Sequence, residues 1–242
     1  MPDDIAGRVA AVRAAVEQAA ARAGRDRASI RLVAVTKTFP AASALAALAA
    51  GLEDVGENYV QEARPKRIAV GRGVWHLIGG LQRNKVRAAV KIFDRVHTVD
   101  SAALAAGLAA EAGRAGRRLP VLIQVRVAGE AGKRGIAPEG VEALARVVLG
   151  HRELLLDGLM TIPPAPRNPS DSRPYFRLLR EVRESAQGRL GVELPHLSMG
   201  MSDDFLIAVE EGATLLRLGR ALFGARGPGA RRPDPSGGGE GS

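Results

Sequence analysis

Ile30-Arg31-Leu32-Val33-Ala34-Val35-Thr36-Lys37-Thr38-Phe39-Pro40 is the stretch that decides how the rest of the chain is read. From Ile30 to Val35 every residue but Arg31 is apolar, and three are β-branched. A run this short, bounded by turn residues, reads as a strand buried on both faces, as a parallel sheet requires. Pro40 stops it, and Lys37 stands at its mouth. An amine there is poorly solvated. Desolvation disfavours the ammonium and raises the share of neutral amine, the form that attacks a carbonyl to give a Schiff base. A lysine that merely snorkels to solvent is the alternative, and it stays open on this stretch alone.

Working outward, strands and helices alternate. Upstream, Ile5, Val9, Val12 and Val16 set a helical period from Asp4 to Ala23, closed by Gly24. Downstream, an alanine–leucine helix over 41–50 leads to a second strand, Leu52 to Gly56, and Glu57 to Glu62 opens another helix. Val74 to Ile78 is a third strand, followed by a helix from Leu81 to Ile92; Arg95 to Val99 is a fourth, followed by a helix from Ala102 to Ala115 capped by Asp100-Ser101. The second half repeats the rhythm with strands at 121–127, 154–160, 196–199 and 213–218. Helices are expected at 138–149, 175–186 and from the Ser202-Asp203-Asp204 cap to Glu211, with a last turn at 219–223. A glycine-rich loop, 128–136, separates the fifth strand from its helix. Eight strands alternating with helices admit an open doubly wound sheet or a closed barrel. Count and length favour a single (β/α)8 TIM-type barrel over 1–224, with an extra N-terminal helix over its bottom or side. Residues 225–242, rich in Gly, Pro and Arg, read as a disordered tail.

Composition narrows the function. The 242 residues contain no cysteine, which removes disulfides and thiolate metal sites. The four histidines, 76, 97, 151 and 196, lack metal-ligand spacing, and His76, inside the third strand, reads as a hydrogen-bonded structural residue. With no secretory signal and no apolar run long enough to span a bilayer, the expected location is the cytoplasm. The net charge of +9 suggests nucleic acid, but the basic residues are scattered and only eight aromatics are present, so none is expected.

Barrel chemistry sits at the C-terminal strand ends. Of the five lysines, only Lys37 directly ends a long apolar strand. Lys66 and Lys91 read as solvated helix residues, Lys85 opens a helix, and Lys133 lies in the glycine loop as a second candidate. Ser198-Met199-Gly200 and Leu218-Gly219-Arg220 end the last two strands, the usual phosphate seat of such barrels. A lysine on the first strand and a phosphate cradle on the last two describe a ligand with an aldehyde at one end and a phosphate at the other. Pyridoxal 5′-phosphate fits. Arg217, one strand over from the phosphate, is then placed to donate to the pyridine nitrogen and keep it unprotonated.

These segments resemble a known family. Val33 to Thr38, Gly56-Glu57-Asn58-Tyr59-Val60-Gln61-Glu62, Trp75 to Lys85, Leu197 to Ser202 and Gly212 through Leu218-Gly219 to Phe223-Gly224 are similar to the YggS/PROSC family of pyridoxal phosphate homeostasis proteins, over about residues 5 to 224. The resemblance implies the barrel of the alanine racemase N-terminal domain, with the cofactor held on Lys37 as an internal aldimine. It further implies that Ser198 and the backbone of Gly219 and Arg220 bind the phosphate, that Arg217 faces the ring nitrogen, and that Asn58 and Met199 line the pocket. Arg126 departs from the family pattern, where asparagine is usual.

Two functions of different class follow. One is a carrier that buffers and delivers the cofactor, with PLP-dependent apoenzymes as candidate partners and no turnover of its own. The other is an amino-acid racemase. Racemisation needs a proton carrier on each face of the substrate adduct. Related racemases take the second from another domain, for which the chain after Gly224 shows no candidate, and neither Tyr59 nor Tyr175 is an evident substitute. The expectation is therefore a monomeric carrier; whether Lys85 or Lys133 is a second docking point is not decided by the sequence.

Overall fold

The computed structural model describes residues 5–128 and 134–225. Lys133, most of the glycine loop and all of the expected tail except Ala225 lie outside the described residues. The strands are β1 (Arg31–Val35), β2 (Asp54–Glu57), β3 (Val74–Leu77), β4 (Arg95–Val99), β5 (Leu119–Gln124), β6 (Leu154–Met160), β7 (His196–Ser198) and β8 (Leu215–Leu218). They run parallel in sequence order, and β1 pairs with β8, so the sheet closes into a barrel. The helices are α1 (Ile5–Arg22), α2 (Ala41–Ala49), α3 (Val60–Val70), α4 (Val86–Ile92), α5 (Ala102–Arg114), α6 (Val141–Leu149), α7 (Arg173–Leu190), α8 (Phe205–Glu210) and α9 (Arg220–Phe223). None among the described residues is long and apolar enough to cross a membrane.

The alternation within each strand sorts side chains between two environments. Outward residues such as Leu32, Ala34, Val55, Trp75, Leu77, Leu197 and Leu218 join the apolar shell beneath the helices. Inward residues fill the lumen, where Val33, Leu122, Met160 and Leu215 form a small apolar layer. Much of the rest of the lumen is polar, with Asp54, His76, His97, Ser198 and Arg217 buried there, unlike the branched aliphatic filling usual in such barrels. At its N-terminal end Arg31 grips Asp54 with Nε and Nη2, both at 2.9 Å, and Arg95 pairs with Asp157 at 2.9 Å. These ion pairs plug the bottom.

α1 packs against α2, α8 and α9 and covers the side of the barrel at the β8–β1 seam. Arg25, just beyond it, donates to the carbonyls of Val209 and Ala213 at 2.7 and 2.8 Å. Several boundaries differ from the sequence reading. Glu57 is the last residue of β2 rather than the start of a helix, because its carboxylate is held by Thr36 beside it. α7 runs longer at both ends, from Arg173 to the left-handed Gly191 cap.

Candidate functional site

Lys37 lies two residues beyond β1 in a turn, half-buried. The alternation that sends Val33 and Val35 into the lumen assigns Lys37 to the lumen side of the rim. Its two neighbours are clamped. The Thr36 carbonyl accepts from Lys66 Nζ at 2.6 Å, and the Thr36 hydroxyl donates to Glu57 Oε1 at 2.6 Å. The Thr38 N–H donates to Glu62 Oε1 at 2.5 Å. Thr38 adopts φ +67°, a conformation that costs a β-branched residue about 1–3 kcal/mol and persists only where its surroundings enforce it.

The enforcing group is Lys66. The sequence reading placed it in solvent, but it is buried, with 7 % of its surface exposed. Its ammonium donates to Glu57 at 2.7 Å and Glu62 at 2.6 Å as well as to Thr36. Burial holds the Glu57 carboxyl above the usual carboxylate range, against the pull of Lys66. The i,i+4 spacing of Glu62 and Lys66 was visible in the sequence. That Glu57 would lie under the same ammonium was not, because Glu57 reads as helix there.

Across the rim, Arg217 is buried and faces the lumen. Its Nη1 donates to Ser198 Oγ at 2.7 Å and its Nη2 to the Thr161 carbonyl at 2.8 Å. Desolvation lowers its pKa to about 10, so it remains a cation at neutral pH. Two of its five N–H groups are used in this way, and others remain for a ligand. Gly219 follows β8 beside the end of β1: a Cβ there would stand 3.5 Å from the Val35 carbonyl oxygen.

The other expected site residues divide. Asn58 follows β2, half-buried, in contact with Gly79; a Cβ on Gly79 would come within 2.3 Å of the Asn58 carbonyl oxygen. Ser198 is fully buried, and its hydroxyl lies between Arg217 and His97 in the lumen rather than on the rim. Met199 is fully buried in the outer apolar shell, so what it offers the rim is main chain. The Arg220 side chain is exposed and paired with Asp203, which leaves its backbone for the cradle candidate. Lys85 is half-buried in a short 3-10 turn before α4. The Arg126 main chain bonds Ile136 at 2.8 Å. No cluster of metal-ligating residues occurs among the described residues.

The donor set suits an anionic aldehyde with a ring acceptor: an amine, an arginine with spare N–H groups and glycine backbone. Two buried acceptors at the rim, Thr38 Oγ1 and Gln124 Oε1, have no partner among the described residues; a bound polar molecule would satisfy such atoms.

Known proteins match this architecture throughout. The family profile described as "Alanine racemase, N-terminal domain" matches residues 8–227. A protein named pyridoxal phosphate homeostasis protein from Pseudomonas aeruginosa is 45% identical over 228 residues, which cover 93% of this chain and 97% of that one. One of the same name from Aquifex aeolicus is 42% identical, covering 87% and 93%. Among solved structures, PipY of Synechococcus elongatus with PLP bound is 36% identical with a TM-score of 0.81, covering 91% of this chain and all of that one.

Proposed function

Because the chain belongs to the pyridoxal phosphate homeostasis protein family, built on the alanine racemase N-terminal domain, we propose that it binds pyridoxal 5′-phosphate at the C-terminal rim and serves as a carrier that buffers and delivers it. The observation that carries this reading is that Lys37 after β1, the buried Arg217 on β8 and the Gly219 main chain after β8 come from adjacent strands of the closed barrel. When bound, the cofactor supplies an electrophilic aldehyde carbon, a pyridine nitrogen and a phosphate.

Lys37 Nζ is the amine that would hold the aldehyde carbon, the carbonyl oxygen leaving as water. The clamp from Lys66 and Glu62 on its neighbours holds the lysine main chain in one place, which lowers the ordering cost of capture. Arg217 would donate an N–H to the ring nitrogen when the cofactor is bound. A guanidinium does not give up that proton at neutral pH, so the nitrogen would stay unprotonated and the ring would be a weak electron sink. That suits holding rather than turnover. The backbone of Gly219, Arg220 and Met199, with Ser198 beneath, faces the phosphate, and Asn58 lines the opposite wall. PLP-dependent apoenzymes are the recipients, and the carrier acts as a monomer.

Purified protein supplied with the cofactor should be yellow, and borohydride should fix the cofactor to Lys37. The Lys37→Ala variant should lose both the band and the fixation. Colourless protein that takes up no added cofactor overturns the reading. Alanine racemisation at ordinary enzyme rates, on the order of 1 per second or more, would overturn the carrier role, and a stable dimer by light scattering the monomer.

A further inference from the structure

A chain of hydrogen bonds runs through the lumen beneath the rim. It starts at Arg217, whose Nη1 donates to Ser198 Oγ at 2.7 Å. Ser198 Oγ lies 2.9 Å from His97 Nδ1, His97 Nε2 lies 2.8 Å from His76 Nδ1, and His76 Nε2 lies 2.8 Å from Asp54 Oδ1. Ser198, His97 and His76 are completely inaccessible to solvent, and Asp54 and Arg217 nearly so. Both oxygens of Asp54 are also held by Arg31.

The ends of this chain dictate its direction. A guanidinium has only donors, and an ionised carboxylate only acceptors. Although burial opposes ionisation of Asp54, the hydrogen bonds from His76 and Arg31 outweigh it and keep the carboxyl below its ordinary range. Burial holds His76 low and His97 well below the ordinary imidazole value. The charged and titratable groups facing the two rings are Asp54, Arg31, Arg95, Arg217 and His196, with Asp157 behind them on Arg95. Each neutral ring has a single N–H. His76 must present its hydrogen on Nε2 to the carboxylate, so its bare Nδ1 accepts from His97 Nε2–H. His97 Nδ1 is then bare and accepts the Ser198 hydroxyl hydrogen, and Ser198 Oγ accepts from Arg217. With both rings neutral, any other assignment sets two hydrogens or two lone pairs against each other.

We propose that Asp54, His76 and His97 are positioning residues for Arg217, a one-directional relay that fixes the guanidinium plane under the ring nitrogen and turns the Ser198 hydroxyl hydrogen away from the rim. The proposal rests on the reading of the rim as the pyridoxal phosphate site. It assigns Ser198 to the arginine rather than to the phosphate, which main-chain N–H groups then meet.

Two measurements test it. Nitrogen-15 NMR of the histidine side chains in cofactor-free protein should show Nε2–H on both His76 and His97, with no titration between about pH 6 and 8. An Nδ1–H form of either ring, or a midpoint near the ordinary value, overturns the relay. Titration of pyridoxal phosphate by absorbance should show His97→Phe binding at least about 10-fold more weakly, the size of a lost hydrogen bond to a charged group, with an altered pH dependence of the visible band, and His97→Gln, which keeps a donor and an acceptor, within about 3-fold of the parent. A Phe variant with the parent's affinity and spectrum overturns the positioning role. If that variant does not fold, the tautomers of the parent protein decide alone. A parent protein that takes up no cofactor refutes the rim reading, while the NMR result still decides the relay.

Discussion

Lys66→Met removes the ammonium that organises the Lys37 turn while keeping most of the side chain's bulk. Three acceptors lose their donor: Thr36 O at 2.6 Å, Glu57 Oε1 at 2.7 Å and Glu62 Oε1 at 2.6 Å. Glu57 keeps only the Thr36 hydroxyl, and Glu62 only the Thr38 N–H. Removing one partner of a buried ion pair costs about 3–5 kcal/mol, which for a chain of this size lowers the melting midpoint by roughly 6–20 °C. The loss should depend on pH. The Glu57 pKa is already raised in the folded protein, and without Lys66 it rises further. A carboxyl raised on folding binds more protons folded than unfolded, so the deficit grows as pH climbs above the usual carboxylate value and shrinks on acidification. Adding Glu57→Gln removes one stranded charge and should recover part of the loss. Urea unfolding followed by circular dichroism at pH 5 and pH 7.5 reads all of this. A Lys66→Met variant within about 1 kcal/mol of the parent at both pH values, the range of an exposed ion pair, would refute the argument that this buried ammonium organises the turn.

Other expectations are simpler. Gly79→Ala drives a Cβ to within 2.3 Å of the Asn58 carbonyl oxygen; it should cost about 1–3 kcal/mol in thermal unfolding, typical of overpacking, and weaken cofactor uptake. His76, His97 and His196 all have folded pKa values below the ordinary one. The unfolded chain therefore binds more protons below about pH 6.5, and stability should fall steadily as pH drops through that point. Chemical denaturation at pH 7.5, 6.5 and 5.5 measures it; a flat profile contradicts neutral buried histidines.

Much of the fold was legible because burial on both strand faces writes itself as unbroken apolar runs, as in Leu32 to Val35 and Val121 to Ile123. The place of Lys37 at a strand mouth was legible for the same reason, two residues after such a run. The lumen was harder to read. His76 reads as a hydrogen-bonded structural residue, and it is one, but only closure of the barrel shows that its partners Asp54 and His97 face it. Lys66 was misread because an exposed helix lysine and one folded back over two glutamates have the same local sequence. For Ser198, beside the cradle candidate, the sequence did not show the bond its hydroxyl makes with Arg217. Each miss concerns partners distant in sequence, which local spacing does not encode.

The Arg31–Asp54 and Arg95–Asp157 pairs give the barrel a sealed floor. A vessel closed below fills and empties through one mouth. Whatever is carried at the strand C-termini arrives and departs on the same side, so a recipient that collects its cargo directly must come to that face, and a molecule lying across it would halt loading and unloading together.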